Sequence, residues 1–357
     1  MGRSHLRFQL TRLDIVLLSA VLLTSSLWGL GALKGCQESR SERRVSSWRA
    51  EEKKVQEQLQ GSLDEERIKA KIRQDPSLRG RIEIVFGTGF LLAVGSLLSF
   101  IRLAFRVFRG RPIAVSLGQP APPAWTLREI LQFVSAIIVL VYLLFLGVGI
   151  SLKLLGIREI DNHLVSLGST LLIDGAVILS LLALFFRRRW LLVRDLIWSR
   201  IWPCVQFAIR GYVAFLPVLA FLLLLTTAVL KFLGTEPAPQ AVFTIYMAET
   251  RTPVLVWLLA LVAVAGPIAE EMFFRGILYG WLRVRIGVMR GLLLSAFLFA
   301  LLHADPVAFM PIFGLGILFG WVYEKTGSLA APIVVHVLHN SGMLYVASLI
   351  KALSAQP

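Results

Sequence analysis

The run Ala265-Gly266-Pro267-Ile268-Ala269-Glu270-Glu271-Met272-Phe273-Phe274-Arg275 sets two adjacent carboxylates and a guanidinium inside an otherwise apolar stretch. Charged groups in such surroundings cost several kcal/mol unless they are paired or put to use. Glu271 and Arg275 stand four apart, so on a helix they pair on one face. Glu270 is turned about 100° away around the same axis and points elsewhere, as a general base would need to. A later apolar run ends Phe299-Ala300-Leu301-Leu302-His303, and the last contains His336-Val337-Leu338-His339-Asn340, with His336 and Asn340 one turn apart. Three of the five histidines thus lie in apolar runs. A carboxylate, imidazoles and an amide gathered around one water are the parts needed for general acid–base hydrolysis.

The elements that must position them are membrane helices. The 357 residues are 56% hydrophobic and 17% charged, with mean hydropathy +0.73, too apolar for a water-soluble fold of this size. Apolar runs longer than about 18 residues recur, each able to cross about 30 Å of hydrocarbon as a helix. The alternating pattern of a membrane β-barrel is absent, so the class is all-α: a polytopic helical bundle. Spans are expected near Ile15–Leu33, Ile84–Phe105, Leu131–Leu154, Val165–Phe186, Tyr212–Phe232, Val254–Leu282, Val288–His303, Val307–Tyr323 and Leu329–Ile350, about nine transmembrane helices made of one amino-terminal anchor and an eight-helix core. At 1.5 Å per residue, Glu270 lies about 20 Å along its helix from Arg283, His303 about 21 Å from Met289, and Asn340 about 18 Å from Ser328. Antiparallel neighbours joined at those turns bring all three to one level.

Three regions follow. Residues 1–36 form a cytoplasmic stub, with Arg3, Arg7 and Arg12, and an apolar stretch; Leu33-Lys34-Gly35-Cys36 hints at a lipobox, but the lysine and the length favour an uncleaved signal anchor. Residues 37–82 form a charged helical segment, with Glu51-Glu52-Lys53-Lys54 and Asp64-Glu65-Glu66-Arg67-Ile68-Lys69 at helical spacing and a seam of Val55, Leu59, Leu63 and Ile68 too sparse for a coiled coil. Residues 83–357 form the membrane domain. Gly118-Gln119-Pro120-Ala121-Pro122-Pro123 within it reads as a linker.

The net charge of +15 reports cytoplasmic loops beside anionic lipid, and no nucleic-acid motif competes with that reading. Arginines 102, 106, 109, 111 and 128 surround one such loop and arginines 187, 188, 189, 194 and 200 another, which puts the amino terminus inside, and the charged segment and Pro357 outside. Cys36 and Cys204 can build neither a disulfide framework nor a cysteine metal site. His339 reads as a packing histidine bonded to a neighbour, Gly314, Gly316 and Gly320 as close-packing positions, Trp281 and Trp321 as interface anchors, and Asp174 as a packing or cavity residue. His5 and His163 read as interfacial loop residues.

At these motifs the sequence resembles the CPBP family of intramembrane proteases, which includes the type II CAAX prenyl endopeptidases and the bacterial Abi and lysostaphin-resistance-like proteins. The family's three motifs stand here as Glu270-Glu271 with Arg275, Phe299 with His303, and His336 with Asn340, in order on successive helices. Each alone is weak; the joint match is specific. The resemblance covers about residues 212–350, the catalytic core. It implies an endopeptidase in which Glu270 and His303 activate a water, His336 and Asn340 donate to the tetrahedral oxyanion, and Glu271 with Arg275 and Phe299 support them from behind. Metal dependence is open: His-Glu-x-x-His is absent, so a zincin is excluded, yet Glu270, His303 and His336 could supply three ligands to Zn²⁺, with His336 and His339 a weaker pair. The implied partners are the bilayer and a membrane-associated protein or peptide substrate, CAAX-type prenylated or bacterial. The Arg content, short loops and extra first span suggest a bacterial inner membrane. Two rivals are a catalytically idle scaffold or immunity protein of the same fold and a proton-coupled transporter; against the latter, no second Glu-Glu-x-x-x-Arg appears in the amino half.

Overall fold

The computed structural model describes residues 65–112, 116–120, 125–157, 162–187, 201–234, 241–303 and 305–354, with positions 53, 55 and 57. Among them every regular element is a helix: α1 (Glu65–Gln74), α2 (Pro76–Phe108), α3 (Leu127–Leu154), α4 (Asn162–Arg187), α5 (Ile201–Phe232), α6 (Ala241–Ala248), α7 (Thr252–Ile286), α8 (Val288–Leu302), α9 (Phe309–Thr326) and α10 (Ala330–Ser354). Eight of the nine expected spans fall on these helices, and the run Ile15–Leu33 lies outside the described residues. By length and apolarity five of the described helices can cross a membrane: α2, α3, α5, α7 and α10. Leu171–Leu181 within α4 and the whole of α8 are shorter apolar helices. Helix α5 starts at Ile201, eleven residues before the expected span, because Cys204, Val205 and Ala208 are buried and carry the helix past polar Gln206 and Arg210.

Two compact units divide the chain, one of residues 1–48 and 125–184, the other of 49–124 and 185–357. Within the first, α3 opens on a capping box in which Thr126 and Glu129 each bond the other's backbone N–H. The second unit holds every motif residue. At its centre is α9, which has the small and apolar surface that close helix contact in a membrane requires. Leu315, Leu318, Phe319 and Val322 meet Cys204, Ala208 and Leu219 of α5 and Ala331 and Val335 of α10. On other faces Ile312 packs with Phe274 of α7 and Phe299 and Ala300 of α8, and Tyr323 with Tyr279 and Leu292. Gly316 is what lets α8 come so near: a Cβ there would stand 3.0 Å from the Cα of Ala296.

Each end of this unit is fastened by polar contacts. At one, Arg283 of α7 forks onto Glu324 of α9 (Nε–Oε2 2.9 Å, Nη2–Oε1 2.7 Å), and the Tyr279 hydroxyl donates to the same carboxylate at 2.7 Å. The described start of the stretch read as a linker is docked here, since the Leu117 N–H donates to the Lys325 carbonyl at 2.8 Å and Gly327, left-handed at φ +66°, lies against the Gln119 carbonyl. At the opposite end Lys351 of α10 donates to the carbonyls of Tyr246 and Glu249, while the buried Glu249 accepts from both the backbone and the guanidinium of Arg251. The charged segment reaches this end as well: Lys71 of α1 meets the Leu353 carbonyl at 3.5 Å. It is only partly a solvated helix. Its ion pairs Lys53–Glu57, Glu66–Lys69 and Arg79–Glu83 are exposed, but Val55 and Leu78 are buried.

Candidate active site

The site is built on an irregularity of α7. Between Thr252 and Ile286 the helix passes through two π-helical stretches, Leu261–Ala265 and Met272–Tyr279, on either side of the α-helical Gly266–Glu271. The cause of the first is legible in Pro267, which has no N–H to give the preceding turn. The Gly266 N–H reaches back five residues to the Leu261 carbonyl instead of four. Each such widening delays the helix by a residue and re-aims the side chains that follow, which is why π turns recur at functional sites.

The two adjacent acids are thereby given different surroundings. Glu271 is fully buried, while the Glu270 side chain is 35% exposed. Arg275, also buried, donates from Nη1 to Glu271 Oε1 at 2.8 Å and from Nη2 to the Gly316 carbonyl at 3.1 Å. Its guanidinium lies over the rings of Phe299, at 4.6 Å, and Phe319, at 5.3 Å. His336 sets Nδ1 3.0 Å from the same Glu271 oxygen. An ionised carboxylate only accepts, so Nδ1 carries the proton and Nε2 is the atom turned to Glu270, 3.8 Å from Oε2. The imidazole is held flat on Phe319, ring centroids 4.8 Å apart and planes 29° from parallel, with the edge of Phe299 at 5.9 Å.

His303 caps α8 from an exposed position. Its Nδ1 bonds the Phe299 carbonyl at 2.8 Å, and its ring stands 4.8 Å from the Phe299 ring, so one phenylalanine touches both motif imidazoles and the arginine. Asn340 donates from Nδ2 to the Val262 carbonyl of α7 at 2.8 Å. His339 meets the Tyr212 hydroxyl at 3.0 Å through Nδ1. The structure thus joins Glu270, Glu271, Arg275, Phe299 and His336 in one contact network, extends it to His303 through Phe299, and ties Asn340 to the α7 backbone. Sequence reasoning passed over Phe319 and the Gly316 and Val262 carbonyls, although Pro267 inside an apolar run already announces an unpaired carbonyl. Among the described residues no group of three His, Cys, Asp or Glu side chains stands close enough to hold a metal ion. The donors weighed for Zn²⁺ therefore do not fit one here, and no step below passes through a metal.

Residues 252–342, from the start of α7 into α10, match the family model of the type II CAAX prenyl endopeptidase Rce1-like proteins. This stretch belongs to the Rce1-like family. All the Rce1-like motif residues, with Val262, Pro267, Gly316 and Phe319, lie inside it. The chain is also similar to the membrane-embedded CAAX protease MroQ of Staphylococcus aureus (strain USA300), 32% identical over 114 residues, which are 30% of this chain and 44% of that protein. A second relative is YdiL of Bacillus subtilis (strain 168), whose name assigns it provisionally to the membrane peptidases; it is 30% identical over 79 residues, 22% of this chain and 32% of that protein. The chain thus spans less than half the length of either relative. No solved structure gives a significant match. With its apolar helices and Rce1-like segment, the chain is a multi-pass integral membrane protein.

Proposed function

We propose that the chain is an intramembrane endopeptidase that hydrolyses a peptide bond of a membrane-associated substrate, with water activated at Glu270. The observation that carries this reading is His336, whose two ring nitrogens face two different carboxylates, Glu271 at 3.0 Å and Glu270 at 3.8 Å. Glu271 fixes the tautomer, and Glu270 remains the reachable base, as an acid–base pair requires. Glu270 takes a proton from water while the oxygen attacks the peptide carbonyl carbon, and His303, held at Nδ1 by Phe299, keeps Nε2 for the same water. The proton passes from Glu270 to His336 Nε2, whose N–H then faces the oxyanion. Glu271 balances the imidazolium charge. Collapse of the intermediate breaks the C–N bond, and the amine leaves with the proton that water gave up.

The Rce1-like match favours substrates with a CAAX-type prenylated tail or a bacterial peptide anchored in the bilayer, and the bacterial relatives favour a bacterial plasma membrane. We take the chain to cross that membrane nine times, counting the run Ile15–Leu33. The test is Glu270→Gln, which keeps shape and hydrogen bonding and removes the base. Purified in detergent, it is expected to lose at least about 100-fold in cleavage of a quenched fluorescent lipopeptide, in the range general bases supply. A variant that cleaves at the wild-type rate refutes the mechanism, and wild-type cellular function in an inactive variant selects the scaffold.

A further inference from the structure

Asn340 meets α7 at the point where that helix lacks a donor. In the five-back register that ties Gly266 to Leu261, the next residue, Pro267, would serve Val262, and proline has no N–H. Gly266 and Pro267 are buried and Val262 is half-buried in an apolar run, and a bare carbonyl inside a membrane is expensive. The Asn340 amide nitrogen occupies the vacancy at 2.8 Å from the Val262 oxygen. One turn earlier on α10, His336 reaches Glu270 and Glu271. The same face of α10 therefore grips α7 on both sides of Pro267, and Glu270 follows the proline by three residues.

We infer that Asn340 is a positioning residue that supplies the backbone hydrogen bond Pro267 cannot make, and so holds Glu270 in register against His336. The inference rests on the proteolytic reading above for its effect on rate, but the clasp itself is a statement about α7. It makes the proline and the asparagine a coupled pair: a donor-less residue on one helix and its substitute on another. A pure oxyanion donor would show no such coupling.

A double-mutant cycle separates the two roles. Wild type, Asn340→Ala, Pro267→Ala and the double variant are purified in detergent, lipopeptide cleavage is measured, and amide exchange is followed by mass spectrometry over residues 262–271. Asn340→Ala is expected to lose about tenfold or more in kcat with little change in KM, and to exchange faster over that segment. Pro267→Ala gives the helix its own N–H, so in that background losing Asn340 costs less than about threefold and protection returns. An Asn340→Ala protein that loses its fold and regains it with Pro267→Ala supports the clasp equally. The same loss in both backgrounds, unchanged exchange in Asn340→Ala, or a double variant still unfolded overturns it. Should the wild type cleave nothing, the protease reading falls, and the exchange data still decide the clasp.

Discussion

Phe319 carries no ionisable group, yet an imidazole and a guanidinium both rest on its ring. Phe319→Leu keeps most of the apolar volume but leaves His336 one fewer wall against rotation. We expect kcat to fall about tenfold with KM nearly unchanged, since an oriented group is lost rather than a binding contact; steady-state kinetics on the lipopeptide check it. The buried pair behind the imidazole answers differently. Arg275→Ala strands Glu271 in the core, a change that costs about 3–5 kcal/mol, visible as a large drop in the detergent melting temperature. Replacing Glu271 by Leu in the same protein recovers part of that drop, because no lone charge is then left inside. The sequence showed which charges belong together, since unpaired ions in apolar runs have to be explained. It did not show the carbonyls of Gly316 and Val262 or the ring of Phe319, which take part through tertiary placement alone and leave no charge or motif behind.

At the level of elements, close approach is governed by single atoms. A Cβ at Gly316 would stand 3.0 Å from the Cα and Cβ of Ala296, both parts of a stiff helix with no flexible end to yield. Gly316→Val should therefore push α8 from α9 and cost about 1–3 kcal/mol, read in thermal unfolding, with activity lost because Arg275 hangs from the Gly316 carbonyl. At the entry to α2 the question is one of charge. Asp75 caps the helix by accepting from the Leu78 and Ser77 N–H groups and the Ser77 hydroxyl. Those bonds, that to Leu78 first, hold its carboxyl below the ordinary value near 3.8. The cap is at full strength above that ordinary value and is lost as pH falls through the lowered one. Amide exchange at Ser77 and Leu78, corrected for intrinsic rate, should stay slow at pH 5 and rise only once the pH is taken well below the ordinary carboxyl value, while Asp75→Asn flattens the response. Apolar length and spacing made the helices themselves legible. The π turn before Gly266 was not, because it goes with one missing N–H and its replacement by a side chain 78 positions away.

For the whole molecule, the charge at the two ends of the second unit predicts which face of the membrane the site serves. Arg283, Arg285, Arg290 and Lys325 gather where α7, α8 and α9 turn, and basic turns stay inside. The other end holds the junction of α1 with the last turn of α10, where Lys71 meets the Leu353 carbonyl. Helix α8 sets out from the basic end and stops after 15 residues at the exposed His303. That length rises only about 22 Å, short of a hydrocarbon core of about 30 Å. With those turns inside, the motif imidazole at its tip is expected to lie below the outer face, in a recess that water reaches past the end of the short helix. A single cysteine at Leu302, 71% exposed, in a chain with Cys36 and Cys204 replaced by serine and alanine, should react with an impermeant maleimide added outside intact cells. Alkaline phosphatase fused after Pro357 should be active in the same cells, and green fluorescent protein at that position dark. Labelling only after the cells are opened, with the reporters reversed, would place the recess on the cytoplasmic side. The basic turns would then face outward and the number of crossings would be even.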